Sequence, residues 1–127
     1  MSLIAFRTIL INNTNVTEFV GTRIHPQVAK TIQYPLIVLQ QVSTTPTQVL
    51  HETSGMDRVR MQVSIYSENY MQATQIAKTV RIAVDDYSGE IAGFKINRIA
   101  FETERDVYET DLEVHHIATD YILTINR

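Results

Sequence analysis

The stretch RVRMQVSIYSENYMQATQIAKTVRIAVDD, Arg58 to Asp86, holds one strand, a break and one helix. Val59, Met61, Val63 and Ile65 alternate with Arg58, Arg60, Gln62, Ser64 and Tyr66, the period-two pattern of a sheet with one buried and one wet face. Ser67 offers an N-cap hydroxyl, and Glu68 suits the positive end of a helix dipole. Tyr70, Ala73, Ala77, Val80 and Val84 then recur at helical spacing, with Ile76 and Ala83 widening the stripe. A strand therefore hands over directly to a helix that can cover it. That settles an architecture and carries no chemistry.

Upstream, a helix is expected from Ser2, with Leu3, Phe6, Ile9 and Leu10 on one face, ended by the polar cluster Asn12–Asn15. Asn15 and Glu18 have the spacing of a capping box for a second, short helix carrying Val16, Phe19 and Val20. Gly21 is placed to close that helix at positive φ. Arg23-Ile24-His25-Pro26 reads as an extended exit, because the residue before proline avoids α geometry. Leu36–Leu39 is a short apolar run after Tyr34-Pro35, expected as a strand start buried on both faces. Thr44–Asp57 is polar and contains Pro46 and Ser54-Gly55. It reads either as a long loop or as two strand extensions around a turn, and long loops are uncommon without a task.

Downstream, Asp85 and Asp86 oppose the helix dipole, for which folding supplies no reason. Phe94 and Ile96 share one strand parity and Ile99 and Phe101 the other, so a β-bulge is expected at Asn97-Arg98. Glu102–Asp111 reads as an acidic turn, and Ile117, Thr119, Tyr121, Leu123 and Ile125 mark a final strand. The expected class is α+β. A single mixed or antiparallel sheet of about four strands, two hairpins joined by a helical crossover, carries the N-terminal and central helices on one face. No repeat or linker divides the chain, so residues 1–127 are expected to form a single domain.

Composition excludes several kinds of chemistry. The 127 residues include no cysteine, which removes disulfides, thiolate metal sites and cysteine nucleophiles. The formal net charge is −3, whereas tight nucleic-acid binding needs clustered positive charge to displace phosphate counterions. Arg58 and Arg60 are the nearest approach to a basic patch, and two such residues usually only solvate a strand face. Apolar runs are too short to span a bilayer, and the N-terminus lacks the order of a secretory signal.

Candidate reactive groups do not assemble into a site. His115 and His116 are neighbours on a strand and should face opposite sides, which keeps them from sharing a metal. His51-Glu52 begins like a zinc-protease helix, but Gly55 stands where the second histidine belongs. No nucleophile elbow or glycine-rich phosphate cradle is present. Asp85-Asp86, and Glu102 with Glu104, are carboxylate pairs without a pocket-forming segment beside them. An enzyme is not expected, nor is a metal or cofactor. The alternatives left open by the residues are a small α+β ligand-binding or enzymatic domain and a nucleic-acid-binding accessory.

Three stretches, in order and spacing, resemble the tail-completion family of long-tailed bacteriophages and prophages, a group that includes tail-terminator-like, head–tail joining proteins. They are Val16–Pro26, with Phe19-Val20-Gly21, Arg23-Ile24 and Pro26; Tyr34–Gln40, with Pro35-Leu36-Ile37-Val38; and Arg58–Val84, with Tyr70, Ala73 and Ala77. Asp106-Val107-Tyr108-Glu109 before the last strand also fits. The resemblance implies a structural protein of the virion at the head-proximal end of the tail, made in the host bacterial cytoplasm. It implies a ring, a hexamer, that completes the tail tube or joins tail to head, with tail-tube and head-connector proteins as partners. DNA would pass through without specific binding, and no membrane would be involved. Expected interface residues are Thr45, Thr47, Gln48, His51 and Glu52 in the polar segment, Arg58 and Arg60 on the strand face, and Glu104, Asp106 and Glu109 near the acidic turn.

Overall fold

A computed structural model describes residues 2–29, 32–49 and 52–126. The helices are α1 (Ser2–Ile11), α2 (Thr14–Val20) and α3 (Tyr70–Val84). The strands are β1 (Ile24–Pro26), β2 (Leu36–Val49), β3 (Glu52–Ser67), β4 (Gly89–Ile91), β5 (Phe94–Glu109) and β6 (Val114–Asn126). They form one six-stranded sheet in the order β1-β2-β3-β6-β5-β4. Among the described residues only the β1–β2 pairing is parallel. The class is α+β, and hairpins β2–β3 and β5–β6 are joined through α3 as expected. The expected strand number of about four is corrected to six. β1 and β4 have three residues each, too few to show an alternation.

Cross-strand register separates the two faces of the sheet. Ile37, Leu39, Val59, Met61, Val63, Ile65, Tyr121 and Leu123 point to the helix side and are buried. They pack with Phe6 and Leu10 of α1, Val16 and Val20 of α2, and Ala73, Ile76 and Val80 of α3. Each large aliphatic side chain so buried contributes about 1.5–3 kcal/mol. Tyr121 lies at the centre, its ring 5.8 Å from that of Phe6 and 5.9 Å from that of Phe101. The other face, with Arg58, Arg60, Gln62 and Tyr66 of β3, carries no helix among the described residues.

Several local expectations shift. α3 is capped by Asn69, whose side chain accepts from the Gln72 N–H, and not by Ser67. Ser67 instead accepts from the Asn69 N–H and donates to Gln72. Asn13, not Asn15, caps α2, accepting from Val16 N–H. An Asx side chain caps from wherever the chain turns in, which the spacing of Asn12–Asn15 leaves open. Gly21 closes α2 at φ 58° as expected. The expected irregularity after Ile96 is present as a register shift between Ile96 and Arg98, and a second lies between Phe101 and Thr103.

The polar segment Thr44–Asp57 takes the second of its two readings: β2 runs to Val49 and β3 starts at Glu52. Glu102–Asp111 is mostly strand, not turn, since β5 runs to Glu109 and the turn occupies residues 110–113. The misreading of Glu102–Asp111 has a physical cause. Where neither face of a strand is buried, no alternation is imposed on its sequence.

Candidate functional site

The surfaces that stand out are the ends, edges and open face of the sheet. β6 meets β3 from Ser67 to Met56, its last partner being Asn126. Beyond Met56, among the described residues, β2 and β3 continue together, pairing Gln48 with Thr53 and Val49 with Glu52. A two-stranded arm therefore projects past the body of the sheet. Isolated two-stranded ribbons are marginally stable in water, so this arm is suited to being held by something else. At the opposite end of the sheet, the β5–β6 turn projects beside the start of α3.

The open face is organised around one buried carboxylate. Asp120 is 7% exposed, and Arg60 Nη1 donates to its Oδ2 at 3.2 Å. Arg60 also pairs with Glu102, and Arg105 lies 4.0 Å from Asp120. The hydrogen bond to Glu102 raises the Arg60 pKa above its ordinary value. Among the described residues Asp120 Oδ1 has no hydrogen-bond partner. Arg58, one residue pair toward the arm and exposed, makes no ion pair among the described residues.

The turn end of the sheet is aromatic. His115 and His116 do face opposite sides, as strand geometry requires. His115 sits between the rings of Tyr70 and Tyr108, at 5.4 and 5.0 Å. His116 stacks on Tyr66 at 4.3 Å, and its Nδ1 lies 2.9 Å from Glu109. Tyr70 donates to Asp106 at 2.7 Å, which raises the phenol pKa above its ordinary range. Burial does the same for Tyr66. Among the described residues no three histidine or carboxylate groups gather as metal ligands.

The expected interface residues divide between the two ends. Thr45 is exposed on β2 and pairs in register with Arg58. Thr47, Gln48 and Glu52 lie on the arm's backbone, and His51 falls outside the described residues. Arg60 is committed to Glu102 and Asp120. Glu104 accepts weakly from the Thr119 hydroxyl, at 3.5 Å, while Asp106 and Glu109 are engaged by Tyr70 and His116. The carboxylate pair Glu102 and Glu104 is split by the second register shift: Glu102 reaches Arg60 on the open face, and Glu104 pairs with Thr119 on the helix side. Asp85 accepts from the Phe101 N–H and pairs with Arg81, and Asp86 pairs with Arg98. Those two aspartates tie the end of α3 to β5, the reason that spacing alone withheld.

Two surfaces escaped the sequence reading. Val28, Ile32 and Leu112 are 70, 67 and 58% exposed. With Tyr34, Leu36 and Tyr66 they line a groove of about 290 Å³. Its residues come from three separate segments, so no local pattern could announce it. The other is the anchored carboxylate Asp120, whose partners lie on β3 and β5.

Comparisons with known proteins bear on what these surfaces serve. Residues 4–126 match the family described as "Tail completion protein gp17". No curated protein matches the chain by sequence. Among solved structures, the chain is similar in fold to one from "Virion of native gene transfer agent (GTA) particle", with a TM-score of 0.82. The two are 10% identical, and the alignment covers 98% of this chain and 94% of that one.

Proposed function

Because the chain belongs to the tail completion protein gp17 family, and so is a structural bacteriophage tail protein and not an enzyme, we propose that it completes the head-proximal end of the tail tube as a six-membered ring around the DNA channel. It works there as a single domain, residues 1–127, contacting tail-tube and head-connector proteins in the virion after assembly in the host cytoplasm. The family match over residues 4–126 carries this reading. The similarity in fold to a chain of a gene transfer agent virion is consistent with it.

The residues support the role in three ways. A ring needs complementary edges and projecting segments rather than a cleft, and the sheet has both. The net charge of −3 suits a channel that DNA must cross without adhering. The arm at Thr45–Glu52 and the acidic end at Glu104–Glu109 lie at opposite ends of the sheet, so one copy can reach a neighbour at each level.

Light scattering over a wide concentration range, alone and with isolated tail-tube ends, tests the reading. Ring-sized oligomers under at least one of these conditions are expected. A strict monomer in both would overturn it.

A further inference from the structure

The sheet ends in two strands whose outer sides are largely bare. On the outer side of β2, β1 covers only Ile37 to Leu39, and Gln40–Val49 faces no strand among the described residues. On the outer side of β5, β4 covers Phe94 to Ile96. Asp86 and Tyr87 then bond to Ile99, and Asp85 to the Phe101 N–H. From Glu102 to Glu109 no strand follows among the described residues.

We propose that copies join edge to edge, the outer side of Gln40–Val49 in one copy hydrogen-bonding to the outer side of Glu102–Glu109 in the next. The proposal rests on the ring reading and specifies its contact.

Three observations favour this occupant. First, the β2 edge reads QQVSTTPTQV and carries no charge. Proteins that keep an edge strand unpaired guard it with charges, especially lysine. Pro46 and two register shifts limit the paired length of this one, but nothing repels a partner, and Val42 stands exposed on it.

Second, strand directions match. β2 and β6 run one way, and β3 and β5 the other. Placing the next copy's β5 beside β2 continues the antiparallel alternation. Because Gln40 stands level with Thr103 across the sheet, the two bare halves meet with successive copies staggered along the strands, which closes into a ring when the strands tilt to its axis.

Third, the two edges are complementary and unlike. Glu102–Glu109 holds four carboxylates against one arginine. Arg58 lies one strand in from the β2 edge, exposed and without an ion pair among the described residues. Unlike edges give a head-to-tail contact, the kind that closes into rings. Pairing of β2 with another β2 would stop at a two-fold dimer.

The absence of native cysteine makes the test direct. Single variants Ser43→Cys, Thr44→Cys or Thr45→Cys are mixed with Thr103→Cys, Glu104→Cys or Arg105→Cys, at a concentration where light scattering detects oligomers, and oxidised. At least one mixed pair should cross-link. The same two cysteines in one chain should then give a ladder that ends at the ring's copy number. In parallel, Val42→Lys with Thr44→Lys should abolish oligomers while leaving the circular dichroism melt unchanged. Oligomers that form with no mixed cross-link, or that survive the lysine pair, would overturn edge pairing and leave the ring reading standing. Cross-links confined to copies of a single variant would also overturn it. Absence of oligomers for the unaltered chain under every condition would remove the ring reading, and edge pairing with it.

Discussion

Hairpin β2–β3 and hairpin β5–β6 have strands of similar length, yet they leave the helix-covered body of the sheet at opposite ends and carry opposite chemistry. The outer half of the first, Gln40–Val49, consists of glutamine, serine, threonine, valine and one proline. The outer half of the second, Glu102–Glu109, is acidic, and its carboxylates are engaged by Arg60, Tyr70 and His116 of the same chain. The β5–β6 end is thus braced by side chains of the same chain, whereas the described start of the other outer half is held by the Ser2–Gln41 and Gln41–Thr44 hydrogen bonds and by its pairing with β3. An edge strand without charge is open to a partner.

Replacing residues 46–55 by a short Asn-Gly turn removes one member of that contrast. The register and burial of Leu36–Gln41 against Met61–Tyr66 remain, and shortening a loop changes closure entropy by only about 0.6 kcal/mol per halving. Circular dichroism and melting should be retained, while infectious particle formation should collapse in a complementation assay. Full infectivity would shift the binding surface to Glu102–Asp111, and loss of folding would make the arm structural.

Truncation measures how far the body and the arm differ in stability. Met61, fully buried on β3, should cost about 2–5 kcal/mol when changed to alanine. Val42→Ala on the bare edge should change stability by less than about 0.5 kcal/mol. Urea denaturation reads both, and comparable losses would mean that the arm is packed in solution.

The open-face arginines offer a finer comparison. Arg60→Ala leaves Asp120, 7% exposed, with only the distant Arg105, and a buried carboxylate without its partner is destabilising. Arg58→Ala removes no ion pair among the described residues. The denaturation midpoint should fall clearly for Arg60→Ala and hardly at all for Arg58→Ala. Equal midpoints would remove Asp120 as an anchor.

Alkali should distinguish the two ends. Tyr66 and Tyr70, both near the β5–β6 end, have phenol pKa values raised above 10.0, by burial and by the hydrogen bond to Asp106 respectively. A raised folded-state value means that folding favours the protonated phenol. The associated stability is complete below the unfolded value, about 10, and is lost as pH rises through the folded values. The arm contains no tyrosine between Gln40 and Arg58. Hydrogen exchange above that pH should therefore loosen residues 66–72 and 105–116 before the β2–β3 pairing. Simultaneous loss would refute the assignment.

The smallest effect is expected at the shared centre. The Tyr121 hydroxyl is buried without a hydrogen-bond partner among the described residues, so Tyr121→Phe removes a desolvated polar group and leaves the ring packing with Phe6 and Phe101. Stability should be unchanged or higher by up to about 1 kcal/mol. A clear loss would point to a partner for that hydroxyl.

What could be read directly from the chain is whatever burial imposes on neighbouring residues. The alternation at Val59–Ile65, the helical stripe from Ala73 to Val84 and the final strand at Ile117–Ile125 are patterns that a one-sided core writes into adjacent positions, and the apolar run Leu36–Leu39 marks a strand start buried on both faces at Leu36 and Ile37. The opposed histidines 115 and 116 follow from the same geometry. The outer half of β5 was not decided that way, because a strand wet on both faces has no period, and the segment Thr44–Asp57 was left between a loop and two strand extensions. β1 and β4 were lost to their length. The groove of Val28, Ile32 and Leu112, the anchoring of Asp120 by Arg60 and the tie of Asp85 and Asp86 to β5 join residues far apart in sequence. Such contacts are set by how the strands register across the sheet, and no local spacing records that.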